Sequence, residues 1–192
     1  MAEIGAGSSF FTTRIAEVNP RSIFFCIDIG YEDDYTKGNI HYKKYLDEKV
    51  DAMLMIDVLE HIENQSIFLE YYGNFLKSGD YLYITVPAFN FLWSNHDVYL
   101  KHYRRYTKKA LRSVLEKSNF DVIEISYIFN LILPLVFIYR KILKLNGSKI
   151  DSDMQQLPAI FNFVLKFLCR MDNFLPFKKF FGLSVISVCR IK

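Results

Sequence analysis

Short apolar runs of strand length alternate along this chain with stretches whose apolar positions recur every three to four residues. Ser22–Ile27, Ala52–Ile56, Tyr81–Val86, Asp121–Tyr127 and Leu183–Arg190 read as strands, and Ile40–Tyr45 alternates weakly enough to be a further one. Phe10–Val18 reads as a helix closed by Asn19-Pro20, because proline does not continue a helix. Gln65–Leu76 is amphipathic, with Ile67, Phe68, Tyr71 and Phe75 at helical spacing, and Ser78-Gly79-Asp80 stops it. Thr107 is placed to cap a helix running through Ser118, with Ala110, Leu111, Val114 and Leu115 turned inward. Asn119 suits the position just past its end. The polar, acidic stretch from Gly30 to Gly38 reads as a loop, and no internal repeat is apparent. Strands alternating with helices predict one α/β domain over residues 1–192 with a mainly parallel sheet.

In sheets of this kind ligands bind beyond the carboxyl ends of the strands. Glu3-Ile4-Gly5-Ala6-Gly7, Asp28, Asp57 and Pro87 all fall at such ends. Gly5 and Gly7 let the backbone turn sharply and approach a ligand, and Ser8 or Ser9 can cap the helix that follows. Asp28 lies 21 residues beyond Gly7, close to the spacing of about 20 at which an acid reaches a ribose hydroxyl. A strand, a glycine turn, a helix, a strand and an acid make a nucleoside-cofactor site. The dinucleotide pattern G-x-G-x-x-G/A fails, because Phe10 occupies its third glycine position, which disfavours a nicotinamide oxidoreductase. A P-loop is excluded, since no Gly-Lys-Ser/Thr follows.

Glu3-x-Gly5-x-Gly7 resembles the first motif of class I S-adenosylmethionine (SAM) methyltransferases, with Ser9 where a last glycine would stand. Asp51-Ala52-Met53-Leu54-Met55-Ile56-Asp57-Val58-Leu59-Glu60-His61-Ile62 looks like that superfamily's fourth-strand segment. Leu76-Lys77-Ser78-Gly79-Asp80-Tyr81-Leu82-Tyr83-Ile84-Thr85-Val86-Pro87 resembles its next strand, with Ser78 and Asp80 as departures. Leu92-Trp93-Ser94-x-x-Asp97 and His102-Tyr103-Arg104-Arg105-Tyr106-Thr107 resemble an insertion, here 88–106, found in a subgroup. The resemblance runs in order from Glu3 to about Tyr127 and is loose beyond. It implies a Rossmann-like sheet of strand order 3-2-1-4-5-7-6 with the last strand antiparallel, and methyl transfer from SAM to an oxygen or nitrogen of a small-molecule, sugar or lipid-linked acceptor. It also implies roles. Glu3 would sit near the methionine ammonium, the Gly5-Ala6-Gly7 backbone against the methionyl part, and Asp28, with Ile29 beside it, at the ribose hydroxyls. Asp57 and Val58 would line the pocket near the sulfonium. An adenine-side acid is not evident in Lys43-Lys44-Tyr45-Leu46. Independently of the family, a sulfonium and an ammonium are cationic, and Glu3, Asp28 and Asp57 are anionic.

For a hydroxyl acceptor a base would help, and His102 is the first candidate, His61 the second, with Tyr106 as a positioning group. Trp93, Asp97 and Arg105 are candidates for holding the acceptor, although Asp97 equally reads as the ion-pair partner of an arginine. Glu60 reads as a local brace. The histidines lack metal-ligand spacing, so no metal is expected.

Composition narrows the setting. Three widely spaced cysteines, Cys26, Cys169 and Cys189, with no C-x-x-C pair, argue for a reducing, cytoplasmic setting rather than a disulfide framework. No basic-then-apolar secretory leader opens the chain. Only four residues precede Gly5, so the chain is expected to lack the N-terminal helices that close over the cofactor in the family. That keeps open a second reading, a degenerate methyltransferase-like partner module without catalysis. Residues 127–192 carry a net charge of +7 and residues 1–126 one of −4. Tyr127–Tyr139 is very apolar, though at 13 residues it falls short of the roughly 20 a membrane span needs, and Pro134 interrupts it. With Leu157–Cys169 and Phe174–Phe181 it predicts a helical cap over 128–181 beside the acceptor site, and 127–181 is a candidate for membrane-surface contact. No basic, aromatic-interleaved patch dominates, so nucleic acid is not an expected partner.

Overall fold

Three residues make the first strand, and they suffice because they lie at the middle of the sheet. In the computed structural model, which describes residues 1–145, 159–172 and 180–192, β1 (Ala2–Ile4) is wholly buried and pairs in parallel with β2 (Phe24–Ile27) and β5 (Ala52–Ile56). Beyond β2 lies β4 (Ile40–Lys43), and beyond β5 lies β6 (Tyr81–Pro87), all parallel. β8 (Ser184–Ile191) runs antiparallel between β6 and β7 (Phe120–Ile128). The register puts Ile4 beside Ile27 and Met55, so the glycine turn, Asp28 and Asp57 emerge at one edge.

One further strand joins this order. β3 (Tyr35–Lys37) pairs antiparallel with β4 and gives β3-β4-β2-β1-β5-β6-β8-β7. This corrects the reading of Gly30–Gly38 as loop throughout. Gly38, at φ +61°, makes the turn, and Tyr35 stacks on its cross-strand partner Tyr42 at 4.3 Å. Without the edge strand β3 the order is the one the family resemblance implies.

Helices cover the sheet. α1 (Phe10–Val18) has the expected bounds, but neither serine caps it: Ser9 takes φ +57° and makes no side-chain capping bond. The free amide of Thr12 is met instead by the Glu3 carboxylate, at 3.0 Å. α2 (Gln65–Gly73) buries Gln65, Leu69 and Gly73; of the apolar positions read from the sequence, Phe68 and Phe75 pack against the core, whereas Ile67 and Tyr71 are 67% and 49% exposed, a correction to that half of the face. Gly73 lies against Ile191 and Phe120, where a Cβ would stand in ordinary contact at 3.4 and 3.6 Å. α3 (Asn95–Tyr99) is a single short turn of helix between β6 and the next helix. α4 (Lys108–Lys117) is capped by Thr107, whose hydroxyl accepts from the Ala110 amide, and Asn119 takes φ +68° just past its end. Leu111 and Leu115 are buried as expected, while Ala110 is exposed.

α5 (Ile132–Leu145) and α6 (Ala159–Asp172) follow β7. Pro134 does not interrupt α5. It sits in the first turn, where no intrahelical N–H is required. Asp172, at the end of α6, accepts the amides of Asn130 and Leu131 at 3.0 Å each, and so caps the neighbouring helix. Residues 146–158 and 173–179 of the expected cap lie outside the described residues. Among the described residues no helix is long and apolar enough to cross a membrane. The main core gathers Ile4, Met53, Met55, Leu82, Ile84, Leu111, Leu115 and Phe120, and a smaller cluster around Phe24, Cys26 and Tyr42 lies beneath α1. The three cysteines are unpaired thiols, in line with the sequence.

Candidate active site

The chain leaves β1 through Gly5, at φ +70°, where a Cβ would meet Val58 Cγ2 at 2.7 Å. Both that angle and the contact demand glycine. The Gly5 and Ala6 amides donate to the Ile27 carbonyl at 2.8 and 3.1 Å, tying the turn to the end of β2. Gly7, at φ +48°, has open space where its Cβ would be. Its amide donates to Asp28 Oδ2 at 2.8 Å, and the Gly30 amide donates to Oδ1 at 2.8 Å. The Tyr31 hydroxyl donates to the Gly7 carbonyl at 2.9 Å, closing the loop. Sequence reasoning missed Tyr31, and its only signal there was an aromatic ring three residues past Asp28. Burial, then nearby Cys26 and Asp28, push its phenol upward. Ile29 stands 82% exposed at the rim.

Glu3 is 3% exposed, and its Oε2 accepts both the amide and the hydroxyl of Thr12, at 3.0 and 2.6 Å. Burial raises its carboxyl, opposed by those two donors. One oxygen of this acid thus serves α1.

β5 delivers Asp57 at φ +51°, a strained angle for a residue with a side chain. Its Oδ1 accepts from the Thr85 hydroxyl at 3.1 Å, and its amide donates to the Thr85 carbonyl at 3.1 Å. Desolvation raises its carboxyl, and the Thr85 hydroxyl and the charges of His102, His61 and Arg105 oppose the rise. A single 3₁₀ turn, Leu59–His61, follows, with Leu59 and Glu60 fully buried.

The segment 88–106 folds against that turn, with the Tyr103 amide on the Glu60 carbonyl. Ser94 and Asp97 form a reciprocal capping box on α3. Asp97 is fully buried, and its carboxylate accepts from Arg105 Nε and Nη2, from the Ser94 amide, and from His102 Nδ1 at 3.0 Å. Burial alone would raise Asp97, but the hydrogen bonds and charge of Arg105, with Ser94 and His102, hold it below the ordinary carboxylate range. The third guanidinium nitrogen, Nη1 of Arg105, donates to the Ala88 carbonyl at 3.1 Å. Asp97 and Arg105 are therefore bonded to each other, the ion pair that the sequence offered as the alternative to acceptor contact. Tyr106 is likewise engaged within the protein. It is 2% exposed, accepts from Gln65 Nε2 and donates to the Leu59 carbonyl at 3.2 Å, so it braces the turn from below. Trp93 is 40% exposed and faces outward at the insertion.

What remains near the cleft is a cluster. One ligand atom from each of Glu60, His61 and His102 lies within 4.8 Å of the others. The rings of His61 and His102 meet edge to face, with centroids 4.6 Å apart. The Tyr103 amide donates to the Glu60 carbonyl at 2.8 Å and holds the two segments together. Burial, then the Asp57 carboxylate, push Glu60 up to about 8. Burial, then the charge of His102, lower His61. Spacing along the chain concealed this convergence, because His102 lies on a different segment from Glu60 and His61.

A surface depression lined by Met1, Arg21, Phe25, Lys49 and Asp51 lies at the opposite end of the strands and touches none of these groups.

A family model described as a methyltransferase domain matches residues 3–125. No curated protein matches the chain. Among solved structures, a SAM-dependent methyltransferase from Archaeoglobus fulgidus is similar, with TM-score 0.58 and 19% identity over 98% of this chain and 84% of that one. Haemonchus contortus phosphoethanolamine N-methyltransferase 2, solved with SAM, gives TM-score 0.57 and 13% identity over 100% of this chain and 48% of that one. The [4+2]-cyclase SpnF gives TM-score 0.56 and 12% identity over 99% of this chain and 73% of that one.

Proposed function

This chain belongs to the methyltransferase domain family, and we propose that it transfers a methyl group from SAM to an oxygen or nitrogen of a small-molecule, sugar or lipid-linked acceptor. The observation that carries this reading is the unit formed by Gly7 and Asp28. It offers an open glycine backbone beside a half-buried carboxylate at the carboxyl edge of the central strands. These residues fit the cofactor: Gly5, Ala6 and Gly7 would hold its methionyl part, Asp28 and Ile29 its ribose, and Asp57 and Val58 the sulfonium side. The bound cofactor supplies a methyl group on a positively charged sulfur. Glu3, Asp28 and Asp57 supply a negative field around it.

Orientation of the acceptor does most of the remaining work, worth roughly 7–11 kcal/mol in favourable cases. His102 is the proposed base, because Asp97 accepts from its Nδ1 and leaves Nε2 to receive a proton. His61, edge-on to it, is the second candidate. Trp93 is the proposed acceptor contact. Exposed Phe91, which meets Phe137 of α5, supports an acceptor with an apolar portion. The exposed Leu135, Ile138, Phe163 and Phe167 on α5 and α6, followed by a basic tail, support contact with a membrane surface from a cytoplasmic location.

Calorimetry with SAM against NAD tests the cofactor. Saturable SAM binding, weakened in Asp28→Ala, is expected, and preference for NAD overturns the reading. The second reading is a degenerate methyltransferase-like module without catalysis, since a fold alone does not fix a chemistry. SAM binding without turnover of any acceptor would favour it. Flotation with anionic vesicles tests the membrane contact, and failure to float removes it.

A further inference from the structure

Glu60 is fully buried, and neither of its carboxylate oxygens has a hydrogen-bond partner. The obvious cation nearby, Arg105, is fully engaged by Asp97 and the Ala88 carbonyl. A buried carboxyl with both oxygens unpartnered forfeits its hydrogen bonds even when it is protonated, and it can ionise there only if a cation meets it. Two imidazoles face it. His102 is turned so that Nδ1 addresses Asp97 and Nε2 is left over, the carboxylate–histidine arrangement that orients a metal ligand. His61 lies on the exposed side, which gives an ion access from solvent.

We propose that Glu60, His61 and His102 form a divalent-cation site beside the methyl-transfer cleft. Two imidazole nitrogens and one carboxylate suit manganese, iron, cobalt or zinc rather than magnesium or calcium. Three protein ligands leave coordination positions open, and an oxygen of the acceptor is the class of ligand that fills one of them. That last step rests on the methyl-transfer reading above; the cation site itself does not. With the cation bound, His102 Nε2 is a ligand and no longer the base proposed above, and the coordinated hydroxyl, acidified by the cation, gives its proton to solvent.

The full chain, stripped with chelator, is titrated with Co²⁺ and Mn²⁺ while the cobalt absorption bands and free-manganese resonance are followed. One equivalent is expected to bind, with visible bands typical of mixed nitrogen and oxygen ligation. Glu60→Gln and His61→Ala are each expected to lower the affinity at least tenfold, while SAM affinity in the same variants stays as in the wild type. A wild type that takes up neither ion, or variants that bind as tightly as it does, overturns the site. Circular dichroism melts of both variants separate loss of ligands from loss of fold, and binding lost only with the fold also counts against it. Cobalt binding without SAM binding would sink the methyl-transfer reading and leave the cation site standing.

Discussion

The amide of Gly7 donates to Oδ2 of Asp28 across 2.8 Å, so the turn after β1 and the acid after β2 are one built unit. Asp28→Asn keeps the shape but removes the charge and one acceptor. Expected is a loss of SAM affinity of at least tenfold by calorimetry, with a stability loss of only about 1 kcal/mol. Unchanged affinity would take Asp28 out of the cofactor site.

Gly5→Ala collides with Val58 and forces a side chain to φ +70°. Urea unfolding should show a loss of about 2–4 kcal/mol. In a Val58→Ala background the same change should cost less, because only the backbone strain remains. Strictly additive penalties would show that the Val58 contact is irrelevant.

Removing the Asp97 carboxylate strands a buried guanidinium. Asp97→Ala is expected to destabilise by about 3–5 kcal/mol, whereas Asp97→Leu combined with Arg105→Met should cost much less than the sum of the single changes. The carboxyl is held below its ordinary range. Its contribution is therefore present at neutral pH and is lost as pH falls through that depressed value. The gap between wild type and Asp97→Asn should thus hold at pH 7 and narrow in acid; a gap that widens in acid refutes the pairing.

Burial pushes the Cys26 thiol up to about 11, with Thr12 opposing the rise and Glu3 adding to it. A raised acid favours folding while it stays protonated. Its contribution is complete below the unfolded value near 9 and fades as pH climbs toward 11. Cys26→Ala, less stable at pH 7, should lose stability less steeply between pH 9 and 11, and parallel curves would contradict this.

The central strands were legible because their apolar runs have strand length and end in acids or proline. β3 was not, since Tyr35, Thr36 and Lys37 are all exposed and carry no apolar alternation. The inward face of α2 was only half legible: Phe68 and Phe75 pack on the core, but Ile67 and Tyr71 lie outside it and Leu69 takes the buried place. At the site, residue types and strand-end positions pointed to Gly5, Gly7, Asp28 and Asp57. Sequence could not tell that Asp97, Arg105 and Tyr106 are sealed inside the protein, nor that His102 returns beside Glu60. Burial and long-range convergence are properties of packing, which one chain's pattern does not carry.

β8 lies between β6 and β7 in space but follows both in the chain. During synthesis β7 therefore has no partner until Ser184–Ile191 has left the ribosome, while the cofactor-side strands can already pair. Any nascent protein halted before that point would present two unmatched sheet margins, and so be an inviting substrate for chaperones or for aggregation.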